Sequence, residues 1–213
     1  MSAPRTKLPC TLVPYEARFA GAFRAINLSW ISSLFRVEAH DEATLSDPCA
    51  WVAAGGFILV AVAVADDDEA SAAAGAAASA ANGGDDARVL GVVSLLTPPA
   101  SGSVGLELAK MGVRNHARGR GVGRALGEAA VALARRERVR RLDILSNRKL
   151  TAALALYASL GFVEREMPAN DYERADIYLV LDLCDEGHQK GAAADDAAAA
   201  AAAAAGSGGD SAV

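Results

Sequence analysis

No stretch of this chain is apolar for long enough to cross a bilayer: residues 57–65, the longest strongly apolar run, fall far short of the roughly 20 residues a spanning helix needs. Cysteine is scarce. Cys10, Cys49 and Cys184 are odd in number and show neither disulfide nor metal-ligand spacing, which excludes a disulfide scaffold and predicts reduced thiols in a cytoplasmic or nuclear protein. The N-terminal MSAPRTKLPC has no apolar segment of the kind a secretory signal carries. His40, His116 and His188 lack the partners of a metal centre or a catalytic triad, so no metal is expected. There is no internal repeat and no loop ending in Gly-Lys-Ser/Thr.

What is abundant is alanine, and it is unevenly placed. Residues 66–86 (DDDEASAAAGAAASAANGGDD) and 185–213 consist almost wholly of Ala, Gly, Ser and acids. A helix of such composition has no large apolar face to dock, so the first tract reads as an inflated, catalytically idle connection and the second as a disordered tail from about residue 184. Setting both aside leaves a domain at 10–183, roughly 160 residues without the insertion, behind a short extension at 1–9. The two tracts hold 11 of the 26 acidic residues but only Lys190 of the 21 basic ones, so the acidic average conceals a basic domain. Residues 110–149 carry twelve Lys or Arg against Glu128, Glu137 and Asp143, a density that suits a phosphorylated ligand or a nucleic acid.

Periodicity divides the domain into short strands alternating with amphipathic helices. Strands are expected at 10–15, 57–65, Val89–Leu96, 104–113, Arg141–Ser146, 162–166 and 176–183, with 57–65 and Val89–Leu96 forming a hairpin. Between residues 16 and 37, Phe19, Phe23, Ile26, Trp30, Ile31, Leu34 and Phe35 recur at three- and four-residue steps, which gives one or two helices, Asn27 being a candidate cap for the second. Further helices are expected at 122–139 and 150–160. Gly161 followed by Phe162 closes the latter in the pattern of a Schellman cap.

The turn RGRGVG, between a strand and a helix, gathers main-chain N–H groups and the positive end of a helix around one point, which makes an anion site. Gly119, Gly121 and Gly123 let a phosphate approach the backbone, while Arg118, Arg120 and Arg124 supply charge. A plain solvated turn remains the alternative. A dinucleotide fingerprint fails, because its third small residue falls on Arg124 or Leu126.

Arg118-Gly119-Arg120-Gly121-Val122-Gly123 matches Arg/Gln-x-x-Gly-x-Gly/Ala, and here the chain resembles the GCN5-related N-acetyltransferase (GNAT) family. ELAKMGVRNHARGRGVGRALGEAAVALAR resembles that family's acetyl-CoA motif, and RLDILSN with ALALYASLGFVE its second motif, over about residues 10–183 in all. The resemblance implies an α/β (α+β) fold: a mixed, mostly antiparallel sheet of about seven strands flanked by helices, with splayed central strands. It also implies direct transfer of an acetyl group from acetyl-CoA to an amine, the backbone of Met111, Gly112 and Val113 pairing with the pantetheine arm and residues 118–124 holding the phosphates.

An amine acceptor must lose a proton before it attacks, which calls for a base or a water relay. Glu107 stands eleven residues before Arg118, the spacing of the general-base glutamate in the histone-acetylating branch of the family, and is the one acid between Val89 and Gly127. A strand-end glutamate facing water is the bland alternative. Tyr157 matches the family's position for protonating the leaving thiolate, although periodicity alone makes it core. Asn147 matches a position that often holds CoA or an ordered water, and the residues Arg148, Lys149 and Leu150 lengthen its distance to the tyrosine; a helix cap is equally compatible. Trp30, Phe35, Tyr172 and Glu173 are candidates for recognising the acceptor. An inactive CoA-binding module remains open as an alternative. A nucleic-acid-binding basic domain is disfavoured by the lack of interleaved aromatics in 110–149.

Overall fold

The structure, a computed structural model, describes residues 10–64, 86–97, 105–170 and 172–183; most of the Ala/acidic connection, the N-terminal extension and the tail lie outside them. All its strands and helices fall in the unit Met1–Asp182, and of the second unit, Leu183–Val213, only Leu183 is described. Among the described residues no helix is long and apolar enough to cross a membrane.

The strands are β1 (Cys10–Pro14), β2 (Phe57–Ala63), β3 (Val89–Leu96), β4 (Leu106–Val113), β5 (Arg141–Ser146), β6 (Val163–Arg165) and β7 (Ile177–Asp182). They form one seven-stranded sheet in the order β1-β2-β3-β4-β5-β7-β6, in which only β4 and β5 run parallel. The mixed, mostly antiparallel sheet is as the family resemblance implies, and the hairpin of β2 with β3 is as the residues predict. β3 lies near the centre and is buried at every position, which suits its run of Val and Leu.

Helices cover both faces. The apolar stripe of 16–37 forms a short 3-10 turn and one continuous helix, α1 (Ala20–Leu34), whose Phe23, Ile26 and Ile31 pack with Ile58, Val60 and Val92. Asn27 is therefore not a cap. It is buried in mid-helix, where its side-chain amide donates to the Phe23 carbonyl at 2.9 Å and its oxygen accepts from the Trp30 indole at 3.1 Å. The N-terminus of α1 is closed instead by Asp86, which the sequence places in the idle tract: its carboxylate accepts the Ala22 N–H at 3.1 Å. Gly21 leaves room for that carboxylate, since a Cβ there would lie 2.4 Å from the Asp86 Oδ2.

Two short helices, α2 (Ala39–Ser46) and α3 (Pro48–Ala53), follow α1 and were not legible from periodicity. α4 (Val122–Arg136) buries Leu126, Ala130, Leu133 and Ala134 against the sheet and carries the chain from β4 to β5. α5 (Thr151–Ser159) ends in the Schellman cap. Gly161 has φ +94°, its N–H reaches the Ala158 carbonyl at 3.1 Å, the Phe162 N–H reaches the Tyr157 carbonyl at 3.1 Å, and the Tyr157 and Phe162 rings meet at 6.0 Å.

Candidate active site

The site originates in a failure of strand pairing. β4 and β5 pair only at Leu106 with Leu142 and Glu107 with Asp143, although both strands continue. The register of β3 with β4 slips between Val92 and Ser94, leaving one extra residue on β4, and Lys110 there has φ +49°. Such a bulge bends and twists its strand, so β4 turns away from β5 and its far edge loses its partner. Between the parted strands lies a cleft of about 710 Å³.

One wall of the cleft is Met111, Gly112 and Val113 with Arg118, Gly119, Gly121, Gly123 and Arg124; the other is the end of β5, Lys149 and Leu150, and α5 from Thr151 to Tyr157. The turn has the geometry an anion needs. Gly119 has φ +70° and Gly121, which begins α4, has φ +92°, and no side chain caps the helix, so its first-turn N–H groups are available to a ligand. Gly112 serves packing as well, because a Cβ there would lie 2.7 Å from Ile26 Cγ2. Arg118 donates through Nε to the Val113 carbonyl at 3.1 Å, and Arg124 lies 3.7 Å from Glu128. Arg120, which is exposed, and Val122, which is buried in the core, are absent from the cleft lining.

Not all of the basic residues in 110–149 face this cleft. Arg114 donates to the carbonyls of Val89 and Asp86, Arg136 pairs with Glu137, Arg141 with Asp143 and Arg148 with Glu164. Lys110, Arg118, Arg124 and Lys149 are the cationic residues that line it.

A smaller pocket of about 50 Å³ adjoins the cleft, sharing Trp30, Ala109, Lys110, Leu145, Ser146 and Leu150 with it. Glu107 lines it, together with Phe35, Asn147, Tyr172 and Arg174. Glu107 is 9% exposed; burial pushes its carboxyl up to about 7, Lys110 opposes the shift and Asp143 adds to it. Tyr157 is 6% exposed and lines the larger cleft, and burial pushes its hydroxyl up to about 12. Its hydroxyl therefore stays protonated at neutral pH and can donate. Asn147 lines the smaller pocket and is absent from the lining of the larger cleft: its amide donates to the Arg174 carbonyl at 2.7 Å and its oxygen accepts the Lys149 N–H at 2.9 Å. Glu173 is exposed and does not line the pocket.

One cluster had no signal in the sequence. Asp41, fully buried at the third position of α2, accepts from Lys110 Nζ at 2.7 Å and from Arg174 Nη1 and Nη2 at 2.6 and 2.7 Å. Burial pushes its carboxyl up, but the hydrogen bonds from Arg174 and Lys110 outweigh that and hold it at about 2. Burial also lowers the Lys110 ammonium, against the pull of Asp41. Glu38 completes a capping box with Asp41 and accepts the N–H groups of Glu173 and Arg174. The segment 172–175 is thereby fixed over the α1–α2 junction and roofs the Glu107 pocket. Residues 133 apart in sequence meet here, and periodicity carries no trace of that.

Comparison with known proteins agrees with this geometry. Residues 60–164 match the family described as the acetyltransferase (GNAT) domain. A stretch of 86 residues is 40% identical to a mycothiol acetyltransferase from Jonesia denitrificans, covering 40% of this chain and 27% of that protein, so the chain spans about a quarter of the length of this relative. Solved structures share the fold. A GNAT-family acetyltransferase from Staphylococcus aureus has a TM-score of 0.64 at 14% identity, over 83% of this chain and 100% of the other. The yncA protein of Salmonella typhimurium, with its cofactor acetyl-CoA, gives 0.58 at 19% over 84% and 96%. A Bacillus subtilis acetyltransferase in complex with CoA gives 0.54 at 15% over 83% and 100%. The family match takes in the bulged strand, the glycine turn and both walls of the cleft apart from α1, and residues 60–164 form a GNAT acetyltransferase domain.

Proposed function

We propose that this protein moves the acetyl group of acetyl-CoA directly to a primary amine, a small molecule or a protein amine. The observation that carries the reading is the parting of β4 from β5 beside a glycine turn whose amides are uncapped, with a buried, unclamped carboxyl in the pocket next door. The unpaired edge of β4 at Met111, Gly112 and Val113 suits an extended amide-bearing arm, which would add to it like a strand. The uncapped start of α4 with Arg118 and Arg124 suits a diphosphate. CoA offers both on one molecule.

In the reaction, Glu107 in its carboxylate form accepts a proton from the acceptor ammonium in the smaller pocket. The freed lone pair attacks the thioester carbonyl, and main-chain N–H groups along β4 are suited to hold the oxygen that gains charge. As the tetrahedral carbon collapses, its C–S bond breaks and the Tyr157 hydroxyl donates its proton to the departing sulfur; the excess proton still on the nitrogen leaves through water and restores the tyrosine hydroxyl, and Glu107 gives its own proton up to solvent. The products are the amide and CoA. Trp30, Phe35 and Tyr172 form the aromatic part of the acceptor pocket, and Asn147 and Asp41 hold the loop that closes it.

Calorimetry with acetyl-CoA is the direct test: saturable binding is expected, weakened in Arg118→Ala and abolished in Gly121→Asp. At φ +92° any side chain strains the turn, and a carboxylate would in addition repel the diphosphate. Absence of binding to the folded wild-type chain would overturn the reading. Binding that survives Gly121→Asp but falls steeply with salt would point instead to a nucleic-acid surface. A thiol-release screen over amines, polyamines, amino acids and peptides then identifies the acceptor class. Tyr157→Phe is expected to lower kcat on the order of 10²-fold with little change in acetyl-CoA affinity, and an unchanged kcat would return Tyr157 to a packing role.

A further inference from the structure

Glu107 has a second carboxyl beside it. Glu107 and Asp143 are register partners in the parallel β4–β5 pair, so both side chains leave the same face of the sheet, about 5 Å apart at ordinary strand spacing. They form the last pair before the strands separate, and both are buried. Two such carboxyls repel when both are ionised, and the surroundings treat them differently. Asp143 accepts from Arg141 Nε at 2.6 Å and from the Tyr178 hydroxyl, which itself accepts from Arg141 Nη2. Glu107 accepts no hydrogen bond among the described residues and faces the smaller pocket.

We propose that Asp143, clamped by Arg141 and Tyr178, is a positioning residue for Glu107: a fixed negative charge one strand away that makes the neighbouring carboxylate a stronger base. The clamp settles which carboxyl does which work. Asp143 is taken up by a guanidinium and a phenol and does not line the pocket, whereas Glu107 is open to a proton arriving there. The other charged and titratable groups around Glu107 are spoken for. Lys110, on its own strand, opposes Asp143 but donates to Asp41 on α2 and to Tyr172. Arg174, in the loop before β7, is bidentate to Asp41 and pairs with Glu38. His40 packs its ring on Tyr172 at 4.7 Å. Asp143 is therefore the nearby charge that acts with burial rather than against it.

The inference rests on Glu107 as the proton acceptor, and its test separates the two ideas. Carboxyl NMR titration, with the Glu107 resonance assigned by its loss in Glu107→Gln, reads the coupling without any turnover. The pH–rate profile reads its use. In Asp143→Asn both the Glu107 midpoint and the ascending limb of kcat/KM are expected to move down by about one pH unit. In Arg141→Gln, which strips Asp143 of its counter-charge, both are expected to move up. A merely structural role would lower folded yield or kcat and leave the midpoint where it is. An unmoved midpoint in Asp143→Asn overturns the proposal, whatever the rate does. A midpoint that moves while the rate limb stays supports the coupling and removes Glu107 as the base instead. Should Asp143→Asn not fold, the upward shift in Arg141→Gln decides, and its absence overturns the proposal.

Discussion

Glu107→Gln is expected to lower kcat by about 10²–10⁴-fold while leaving the affinity for acetyl-CoA unchanged. The expectation follows from where the carboxyl sits. Burial raises it to about 7, so near neutrality a useful fraction is ionised and yet basic enough to compete for an ammonium proton. The wild-type ascending limb of kcat/KM is expected near pH 7 and should vanish in the variant. Positioning of two bound reactants can by itself supply effective molarities of about 10⁵–10⁸ M, so a loss of less than tenfold would mean that alignment, not proton removal, carries the rate.

The same substitution has a stability signature with a definite sign. The folded carboxyl titrates at about 7 against an ordinary 4.5, so the folded chain holds its proton more tightly than the unfolded one. This contribution is fully present below about pH 4.5 and is lost as pH rises through 7. Above pH 7, Glu107→Gln is accordingly expected to be more stable than wild type, by on the order of 3 kcal/mol at 1.36 kcal/mol per unit. Denaturant midpoints of the two proteins at pH 4.5 and 8 measure it, and parallel pH dependences would show that the carboxyl is solvated. An active site that costs stability at its working pH is what a functional rather than a packing carboxyl should show.

Asp41→Ala is the second large effect, and it acts on the fold first. The substitution leaves Lys110 and Arg174 buried without their shared counter-ion, a loss of about 3–5 kcal/mol and on the order of 10 °C in Tm. Because the native carboxyl is held at about 2, its contribution is present above the ordinary 3.8 and lost as pH falls through 2; the wild type should lose the advantage over Asp41→Ala in acid. Thermal melts at pH 7 and below pH 3 check both statements. Equal Tm values at pH 7 would mean that the three charges are solvated rather than buried. Since the pair fixes segment 172–175 over the pocket, KM for the acceptor should rise in this variant more than KM for acetyl-CoA.

Much of this site was legible in residue order, and the reason is that it is local. The turn 118–123 lies within six consecutive residues, and glycine alone tolerates φ +70° and +92°, so the backbone requirement is written in the residue types. Gly161 and Phe162 announce the end of α5 for the same reason. The hydrophobic stripe of α4 and the Val/Leu runs of β2 and β3 follow from the periods of helix and strand. Asn27 shows the limit of such reading: a residue type that favours caps sits in mid-helix because Trp30 and a backbone carbonyl satisfy its amide there.

By itself the sequence determined the strands, the longer helices, the glycine turn between β4 and α4 and the identity of a lone acid before it, because each of these depends on neighbours within a turn of helix or a few residues of strand. Tertiary structure alone decided that β4 bulges at Lys110 and parts from β5, that Asp86 caps α1, that Asp41 meets Lys110 and Arg174, and that Asp143 lies beside Glu107. These are contacts between segments up to 133 residues apart, set by strand register and by the burial of charge. Local propensity is blind to both, since the energy of a buried carboxyl depends on which cation the fold brings to it and not on the residues beside it in the chain.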